Sequence, residues 1–448
     1  MDKYLFTVTG RADGSSKFGT NNKWAFFPSF AAAWRINQEK FMKNIDWISN
    51  LKIRGSWGVT GNQNIPAYSS PEKMNTYTYP IGGVTSVGIG AGNMPNPDLK
   101  WETTAITDIG IDLGVFNNRI NFTADYYYKK TTDLLWNISV PLTTGFGTVL
   151  KNIGSLQNKG LELSLSADVL TGPFKWNTML NWSTNKNKVL EIPGYIPTQQ
   201  GTISGHLKVN GSWLEPGLPV GVWNLLKTNG VMRTEKEWQD AARVADSNFD
   251  KIGDMSFVDK NGDGKISFGE DRQIVGDPNP DFIFGWTNNF SYKNFDLSIL
   301  LTAQTGGKIY GILGRAIDRP SMGAKSNIMG HWRDAWWSED EPGNGSVPYI
   351  LSQTTGTTLD SRWLYSSNYL RIKNLTLGYK LPINPKFISY ARVYLSIENL
   401  AKWDSYYGGY SPEAANVGSG PGGASALGLD YGGYPNARTF TFGINVNF

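Results

Sequence analysis

Long segments of this sequence alternate strictly between apolar and polar side chains, and this period of two is the feature that most restricts the fold. In residues 105–115 most odd positions are apolar, whereas the even positions include aspartates and glycines. The same alternation returns in residues 120–129, 161–169, 282–292 and 295–301. Because successive side chains of a β-strand point to opposite faces, each segment is predicted to be a strand with one apolar and one polar face.

The lengths of the strands and of their connections distinguish a membrane barrel from a soluble sandwich. Many of the segments have about ten residues or more, which is enough to cross a bilayer at a tilt, whereas sandwich strands have about five or six. Short connections alternate with long ones along the chain. The short ones lie near residues 37–50, 116–119, 170–173, 294 and 382–390, and the long ones near residues 61–102, 131–159, 185–280, 304–366 and 403–436. This pattern predicts an all-β fold, an antiparallel transmembrane β-barrel.

Composition agrees with a barrel and excludes some other classes. Aromatic residues make up 13% of the 448 residues, and no apolar run approaches the roughly 18 residues of a membrane helix. The absence of cysteine fits an oxidising compartment. A net charge of +4 is too small to indicate a nucleic-acid partner, so none is expected.

The alternation also predicts which charged side chains face the barrel lumen. A lysine or arginine that faces lipid near the bilayer midplane costs about 2–4 kcal/mol, so the apolar face should be the convex outer one. The side chains then expected to point inward are those of Lys52, Arg54, Asp108, Asp112, Asp125, Glu162, Asp168, Lys175, Asp296 and Gln304.

Several stretches together resemble the carboxy-terminal part of the SusC/RagA family of TonB-dependent outer-membrane transporters. They are "RADGSSKFG" (11–19), "LKIRGSWGVTGN" (51–62), "NPDLKWETT" (96–104), "NKGLELSL" (158–165), "DKNGDGKISFGEDRQIVGDPNPDF" (259–282), "YLRIKNLTLGYKLP" (369–382) and the last strand, "TFTFGINVNF" (439–448). The resemblance implies an outer-membrane barrel of about 22 strands with a plugged lumen. It also implies TonB-energised import of oligosaccharides or peptides and a SusD-like surface lipoprotein as partner, besides outer-membrane lipid.

Counting strands back from Phe448 gives about twelve, with short turns in the periplasm and long loops outside the cell. Against about 22 in the family barrel, this count leaves an even number of strands before Met1, along with the plug, the segment that contacts the TonB complex and the export signal. We therefore expect an open sheet with free edges at residues 4–11 and 439–448.

The long excursion of residues 185–280 is expected to form structure of its own outside the cell. Residues 218–232 are predicted to form a hairpin. A short helix should follow at residues 234–245, because Thr234 and Glu237 have the spacing of a capping box.

Residues 259–270 have the spacing of a calcium-binding loop, although no long helix flanks them. Oxygen-bearing side chains stand at positions one, three, five and twelve, and a glycine at position six allows the sharp turn. A structural Ca²⁺ is predicted, and its ligands are Asp259, Asn261, Asp263, the Lys265 carbonyl and Glu270, with Asp271 as a substitute. The alternative is a polar turn in which Asp and Asn side chains accept hydrogen bonds from their own backbone.

Aromatic side chains in the long loops are candidates for contact with cargo or with the lipoprotein. Flat aromatic rings bind the apolar faces of sugars, but long loops also need cores and barrel rims carry aromatic girdles. The candidates are Trp332, Trp336, Trp337, Trp363, Trp403, Tyr406 and Tyr407.

Catalysis has little support in the sequence. The two histidines, His206 and His331, lie in different loops, and no nucleophile–base pattern, phosphate-binding loop or zinc spacing is present. The chain is therefore not expected to be an enzyme. A passive outer-membrane porin and a soluble lectin-like β-protein remain as alternative functions.

Overall fold

A computed structural model describes most of the chain. The described residues are 3–192, 196–203, 207–244, 251–267, 269–312, 329–350, 358–383, 387–413, 428–430 and 432–448. Parts of the excursion of residues 185–280, including His206, lie outside the described residues. Within the described part, no helix is long and apolar enough to cross a membrane.

Twelve long strands form one antiparallel sheet in which every strand pairs with its neighbours in chain order. The strands are β1 (Tyr4–Gly14), β2 (Trp24–Arg35), β3 (Ile48–Asn62), β4 (Glu102–Val115), β5 (Ile120–Thr132), β6 (Ser155–Thr171), β7 (Phe174–Glu191), β8 (Phe282–Tyr292), β9 (Phe295–Thr305), β10 (Tyr369–Lys380), β11 (Tyr390–Asp404) and β12 (Thr439–Asn447). The count and the alternation of short with long connections are as predicted.

Local chemistry explains the tight turn between β4 and β5. The register continues from Val115 paired with Ile120, so only four residues connect the two strands. Asn117 and Asn118 both have a φ of 58°, a left-handed conformation that asparagine tolerates better than most residues. The short connection predicted near residues 116–119 is therefore confirmed.

The two faces of the sheet differ as expected. On the outer face Ile109 is 58% exposed and Trp286 is 44% exposed, and Leu163 on the same face is half-buried. On the opposite face the Lys52 ammonium lies 2.8 Å from Asp112, and Arg54 lies among three aspartates. Apolar side chains thus cover the surface that meets lipid, and charged side chains line the inner wall.

Asn288 breaks the alternation on the outer face. It stands between Trp286 and Phe290 in the outward row of β8, yet it is only 5% exposed. Its Oδ1 accepts hydrogen bonds from Trp176 Nε1 at 3.0 Å and from Thr178 Oγ1 at 3.0 Å. Trp286 Nε1 in turn donates to Thr178 Oγ1 at 2.9 Å. Neighbouring polar groups thus bond one another beneath two indole rings, which lowers the cost of placing them on an apolar surface.

The sheet ends at β1 and β12, which pair with each other nowhere in the described part of the chain. β1 pairs only with β2, and β12 pairs only with β11. An open sheet with these two edges agrees with the expected free edges.

The long loops carry smaller sheets and short helices. Their strands are Met74–Ile81, Val84–Ala91, Leu135–Ser139, Thr148–Asn152, Ile196–Ile203, Leu207–Leu214, Val222–Leu226, Thr228–Val231, Arg243–Val244, Met255–Phe257, Lys265–Ile266, Arg272–Gly276, Lys308–Gly311, Leu364–Ser366 and Leu429–Asp430. Besides the helix α1 (Glu235–Asp240), there are 3-10 turns at Ile36–Gln38, Lys40–Met42, Leu142–Thr144, Gly330–Asp334 and Ser361–Trp363.

The predicted hairpin of residues 218–232 is wrong. Val222–Leu226 pairs with Leu207–Leu214 and Arg272–Gly276, whereas Thr228–Val231 pairs with Met255–Phe257 in a separate sheet. All five side chains of Val222–Leu226 are buried. A strand buried on both faces can gain more by pairing with distant strands than by turning back on its neighbour.

The predicted helix is present but shorter, and half of its capping box forms. The Thr234 hydroxyl accepts a hydrogen bond from the Glu237 backbone N–H at 3.2 Å, as a capping residue should. The Glu237 carboxylate does not reach back to the cap. It accepts instead from the Arg233 backbone N–H at 2.7 Å and pairs with the Arg233 guanidinium at 2.9 Å.

Two hydrophobic clusters support the loop structures above the sheet. The first brings together residues of three long loops, including Trp223, Tyr310, Trp363 and Tyr406. The second packs Leu226, Met255 and Ile266 against the calcium-type loop. These cores fix the position of the candidate site described next.

Candidate binding site in the long loops

A cleft of about 440 Å³ opens where three long loops meet. One wall comes from residues 228–255, a second from residues 331–365 and a third from Tyr407. Its lining residues are Thr228, Gly230, Met255, His331, Trp332, Asn344, Gly345, Ser346, Val347, Pro348, Arg362, Trp363, Tyr365 and Tyr407. Three of the predicted contact residues, Trp332, Trp363 and Tyr407, are brought together here.

The floor of the cleft is a buried aromatic layer. Trp332 is 3% exposed and Trp363 is 6% exposed, so their rings serve mainly as loop core. The Trp363 indole N–H has no acceptor in the described part of the chain. Because buried donors nearly always have a partner, this group can bind a ligand or a water molecule.

The rim of the cleft presents more accessible rings. Tyr407 is 63% exposed, and its ring packs edge-on against Tyr365 with centroids 4.8 Å apart. His331 is half-buried, with its ring 6.4 Å from Tyr407 and stacked on Trp332 at 5.7 Å. An exposed tyrosine next to an imidazole gives the rim both flat apolar area and hydrogen-bonding groups.

A buried ion pair positions the second wall. Asp360 is fully buried and accepts from Arg362 Nε at 2.9 Å and from Arg362 Nη2 at 2.6 Å. The Thr358 hydroxyl and the Arg362 backbone N–H donate to the same carboxylate. This bidentate arrangement orients the guanidinium beside Trp363, with Cζ 6.0 Å from the ring centroid.

Tyr406 lies below the cleft as part of the loop core. It is 6% exposed and its hydroxyl donates to the buried Asp430 carboxylate at 2.6 Å. Burial, and then the hydrogen bond to the carboxylate, raise the pKa of Tyr406 far above its usual range. The contact joins the beginning of the loop between β11 and β12 to residues 429–430 of the same loop.

The remaining tryptophans lie away from the cleft. Trp336 is half-buried and donates from Nε1 to the Arg233 carbonyl at 2.9 Å, whereas Trp337 is 49% exposed. Trp403 lies in β11 rather than in a loop, which corrects the loop boundary drawn from the sequence. It pairs with Leu370, and both side chains are exposed on the outer face. Trp403 therefore fits the interfacial girdle better than a cargo site.

The calcium-type loop turns as its sequence predicts. Gly262 and Gly264 have φ values of 77° and 78°, which disfavour any other residue. Asp259 accepts from the Gly262 N–H at 2.7 Å and from the Gly264 N–H at 2.8 Å. These backbone hydrogen bonds, that of Gly264 first, lower the pKa of Asp259, so its carboxylate is ionised at neutral pH.

The other predicted ligands of this loop are held in several ways. Asn261 and Asp263 accept from the Asp263 and Lys265 backbone N–H groups, at 3.1 and 2.8 Å. Asp271 is fully buried and accepts from Lys260 N–H and Ser267 N–H, at 3.0 and 2.7 Å, so it braces the ends of the loop. Glu270 is exposed. Within the described residues, no three acidic or histidine side chains converge on one metal position, and the calcium site stays a prediction.

The inner wall carries a charge network on β3, β4 and β5. Arg54 Nη2 lies 2.6 Å from Asp125, Nη1 lies 3.2 Å from Asp108, and Nε lies 3.4 Å from Asp112. The alternation predicted this face correctly. It could not predict that one guanidinium serves three strands, because the network depends on the register between them.

Several residues of the cleft escaped sequence analysis. Met255, Arg362 and Tyr365 line it although no motif marks them. They come from two loops that meet through tertiary contacts, such as the hydrogen bond from the Val231 N–H to the Gly345 carbonyl, so their proximity has no local signal in the sequence.

The open twelve-stranded sheet, with apolar side chains outside and charges inside, defines the wall of an outer-membrane β-barrel. The family model described as "TonB dependent receptor-like, beta-barrel" matches residues 1–264. Its match to more than half of the chain establishes the family.

Two relatives match along the whole chain. TonB-dependent receptor P26 of Formosa agariphila is 36% identical, over 100% of this chain and 45% of its own length. TonB-dependent receptor SusC of Bacteroides thetaiotaomicron is 31% identical, over 100% of this chain and 42% of its own length. The chain thus spans less than half the length of these relatives.

The fold is also that of a solved structure described as the RagAB peptide transporter. The TM-score is 0.81 at 23% identity, and the match covers 100% of this chain and 46% of that chain. The chain belongs to the TonB-dependent receptor β-barrel family and has its place in the outer membrane, and it is similar to SusC in sequence and to the RagAB transporter in fold. The soluble lectin-like alternative is therefore wrong. The family is one of receptors rather than of enzymes.

Proposed function

We propose that this chain forms the carboxy-terminal part of the barrel in a receptor that imports oligosaccharides or peptides with energy delivered through TonB. A SusD-like surface lipoprotein would close over the long loops, and the aromatic cleft would contact the cargo. The family and the lumen-facing charge network support a transport role. The structure described as the RagAB peptide transporter supports a peptide cargo. Oligosaccharides and the SusD-like lipoprotein are what the resemblance to the SusC/RagA family implies.

The single observation that carries cargo binding at the cleft is the buried Trp363 indole N–H, which has no acceptor in the described part of the chain and lines the same cleft as the exposed ring of Tyr407. Such a donor, in a cleft that also presents a flat apolar ring, suits a ligand that offers both an oxygen acceptor and an apolar face. Sugars and peptide backbones both have this combination.

Binding is tested with the intact receptor in detergent, against one panel of oligosaccharides and one panel of short peptides, by native mass spectrometry. Trp363→Phe keeps an aromatic ring, though a smaller one, and deletes the donor, so it should weaken binding of the best-bound member about tenfold, which corresponds to about 1.4 kcal/mol. Trp337→Phe is the matched control outside the cleft and should change nothing. Equal loss in both variants would reject the cleft as the cargo site.

Energised import is tested separately, by following uptake of the best-bound compound into cells with and without TonB. Uptake that stops without TonB supports the proposal. Uptake that continues unchanged identifies a passive porin.

We further propose that residues 259–270 bind a structural Ca²⁺ through Asp259, Asn261, Asp263, the Lys265 carbonyl and Glu270, with Asp271 as a substitute. The ionised Asp259, the tight turn at Gly264 and the EF-hand spacing support this assignment. Exposed Glu270 would have to turn toward the loop to complete the site.

Isothermal titration of the purified receptor with Ca²⁺ should show binding in about the 0.1–1 mM range expected of extracellular modules. Asp259→Asn, which changes the position where the motif requires Asp, should abolish it, whereas Asp240→Asn, in the nearby helix α1, should not. Absence of binding at millimolar Ca²⁺ would leave the loop as a self-bonded polar turn.

A further inference from the structure

Four lysines lie together on the outer face of β5, β6 and β7, close to the long loops. Lys159 pairs directly with Lys186, and Gln157 pairs with both Lys130 and Lys188. Residues that face each other across antiparallel strands point to the same side of the sheet. Lys130 also shares its face with Tyr126, which is 49% exposed among the apolar side chains of the outer surface.

None of the four ammonium groups has a counter-ion in the described part of the chain. All four side chains are exposed. Lumen-facing Lys52 and loop residue Lys100, by contrast, each lie within 3.0 Å of an aspartate. Glu191, which pairs with Ser155 three residues beyond Lys188, forms no ion pair with a lysine in the described part of the chain. Like charges on facing strands repel each other, so a bound anion would lower the repulsion between these ammonium groups.

The height of the cluster matches an interface rather than the bilayer interior. Ten residues of about 3.4 Å each separate Lys130 from Ile120 at the other end of β5, so a tilt of about 40° places it about 26 Å higher. The apolar band of an outer-membrane barrel is about 25 Å tall, and its long-loop end faces the outside. Lys159 pairs with Tyr128, and Lys186 pairs with Lys159, so these two lysines lie level with an aromatic residue of the interface. Lys130 and Lys188 lie further toward the long loops, at the headgroups of the outer leaflet.

We propose that Lys130, Lys159, Lys186 and Lys188 form a binding site for the phosphorylated headgroup of a lipid in the outer leaflet. The site is continuous with the lipid-facing surface, and its charge is complementary to a phosphate. Basic clusters at membrane interfaces bind anionic headgroups in this way. Such a lipid would be held against the barrel wall below the loop excursion of residues 192–281.

The test extracts the intact receptor from its outer membrane in mild detergent and counts retained lipid by native mass spectrometry. The variant changes all four lysines to glutamine. The control variant changes four exposed loop lysines to glutamine, so both variants lose the same charge; the control residues are Lys73, Lys227, Lys236 and Lys251. Phosphorylated lipid A, the same lipid A after dephosphorylation, and inorganic phosphate are then added back to delipidated protein. Unchanged heat-modifiable migration verifies that each variant is folded.

The four-lysine variant should retain at least tenfold less phosphorylated lipid than wild type, whereas the control variant should retain the same amount as wild type. Wild-type protein should bind phosphorylated lipid A in preference to the dephosphorylated form. This binding should be weaker at high salt. Inorganic phosphate alone should not displace the lipid. Equal retention by variant and control, or equal binding of both forms of lipid A, would show that the lysines only reach toward the interface without a bound headgroup, and would overturn the proposal. Displacement of the lipid by free phosphate would show that the lysines bind inorganic phosphate and not a lipid headgroup, and would overturn the proposal.

Discussion

At the scale of single residues, the hydroxyl of Tyr406 should contribute strongly to the local stability of residues 428–430. In the described part of the chain, Tyr406→Phe leaves the buried Asp430 carboxylate with the backbone N–H groups of Gly432 and Gly433, at 3.1 and 3.2 Å, as its remaining donors. Loss of a hydrogen bond to a buried charge costs about 1–3 kcal/mol. Amide hydrogen exchange should show local opening at residues 428–430 that is easier by this amount.

Tyr407→Phe is the adjacent control for that experiment. Its side chain is 63% exposed, so the change should leave exchange at residues 428–430 unaltered. Equal exchange in wild type and Tyr406→Phe would mean that Asp430 is held by the backbone alone.

Glu39, in the short connection between β2 and β3, gives a prediction about pH. Hydrogen bonds from Lys3, then Tyr4 and Trp34, lower the pKa of Glu39 from 4.5 to about 2. A carboxyl whose pKa is lower in the folded state stabilises that state above pH 4.5 and loses this effect as pH falls through about 2. The melting temperature of wild type should therefore exceed that of Glu39→Gln above pH 4.5, and the difference should vanish near pH 2.

An exposed carboxylate provides the comparison for the pH series. Glu72→Gln neutralises an exposed carboxylate that has no hydrogen-bond partner in the described part of the chain. The melting temperature of this variant should follow that of wild type over the whole pH range. A difference between wild type and Glu39→Gln that stays constant down to pH 2 would contradict the assigned cause.

Single-residue burial was the least predictable property of the loops. Trp332, Trp337 and Trp363 are chemically equivalent in the sequence, yet one is exposed and two are buried. Trp363 is buried in a cluster with Trp223 and Tyr310, which are distant along the chain, and Trp332 is buried against Ala335 and Val347. Aromatic content therefore indicated a site in these loops but could not separate its floor from its rim.

At the scale of strands, Asn288 should be essential to the outer face of β8. Asn288→Ala would leave the Trp176 indole N–H and the Thr178 hydroxyl without their acceptor in an apolar setting. The expected loss is about 1–3 kcal/mol in the free energy of unfolding, measured by urea titration in detergent. Asn289→Ala, on the exposed inner face one residue further, should cost much less.

Arg54 should matter for the cohesion of β3, β4 and β5. Arg54→Met would leave three aspartates to repel one another, with only Lys52 within 2.8 Å of Asp112. Breaking a buried ion pair costs about 3–5 kcal/mol, but Arg54 is 31% exposed, so about 1–3 kcal/mol is expected in urea unfolding. Ser56→Ala, on the same face, is the control, and equal stability of the two variants would show that the network adds nothing.

The spanning strands were predictable because their signal is local. Alternation and turn chemistry placed β8 to the residue and the turn-side ends of β4, β5 and β9 as well, since one face must meet lipid. At the long-loop ends these three strands run three or four residues further than the alternation indicated. Val222–Leu226 has no alternation because both its faces are buried, and its partners lie up to fifty residues away. Sequence patterns cannot choose such partners, which is why the predicted hairpin there was wrong.

At the scale of the whole molecule, the open sheet predicts how this chain behaves by itself. β1 and β12 present unpaired backbone groups, and each such group costs several kcal/mol in lipid. Expressed alone, the 448 residues should aggregate rather than insert, without heat-modifiable migration. Within the intact receptor, amides of both edge strands should be protected from exchange. Continuous pairing of residues 4–11 with 439–448 in the isolated chain would instead show a small closed barrel.

The hairpin of Met74–Ile81 and Val84–Ala91 offers a practical handle on living cells. Its tip, Gly82–Gly83, has φ values of 59° and 82°, and no atom lies near either position where a side chain would begin. An epitope spliced between these glycines would extend outward without shifting any strand, because the pairing register ends at Ile81 and Val84. Antibody staining of unbroken cells would then show which end of the molecule faces the environment, and the same tag could follow its turnover at the cell surface.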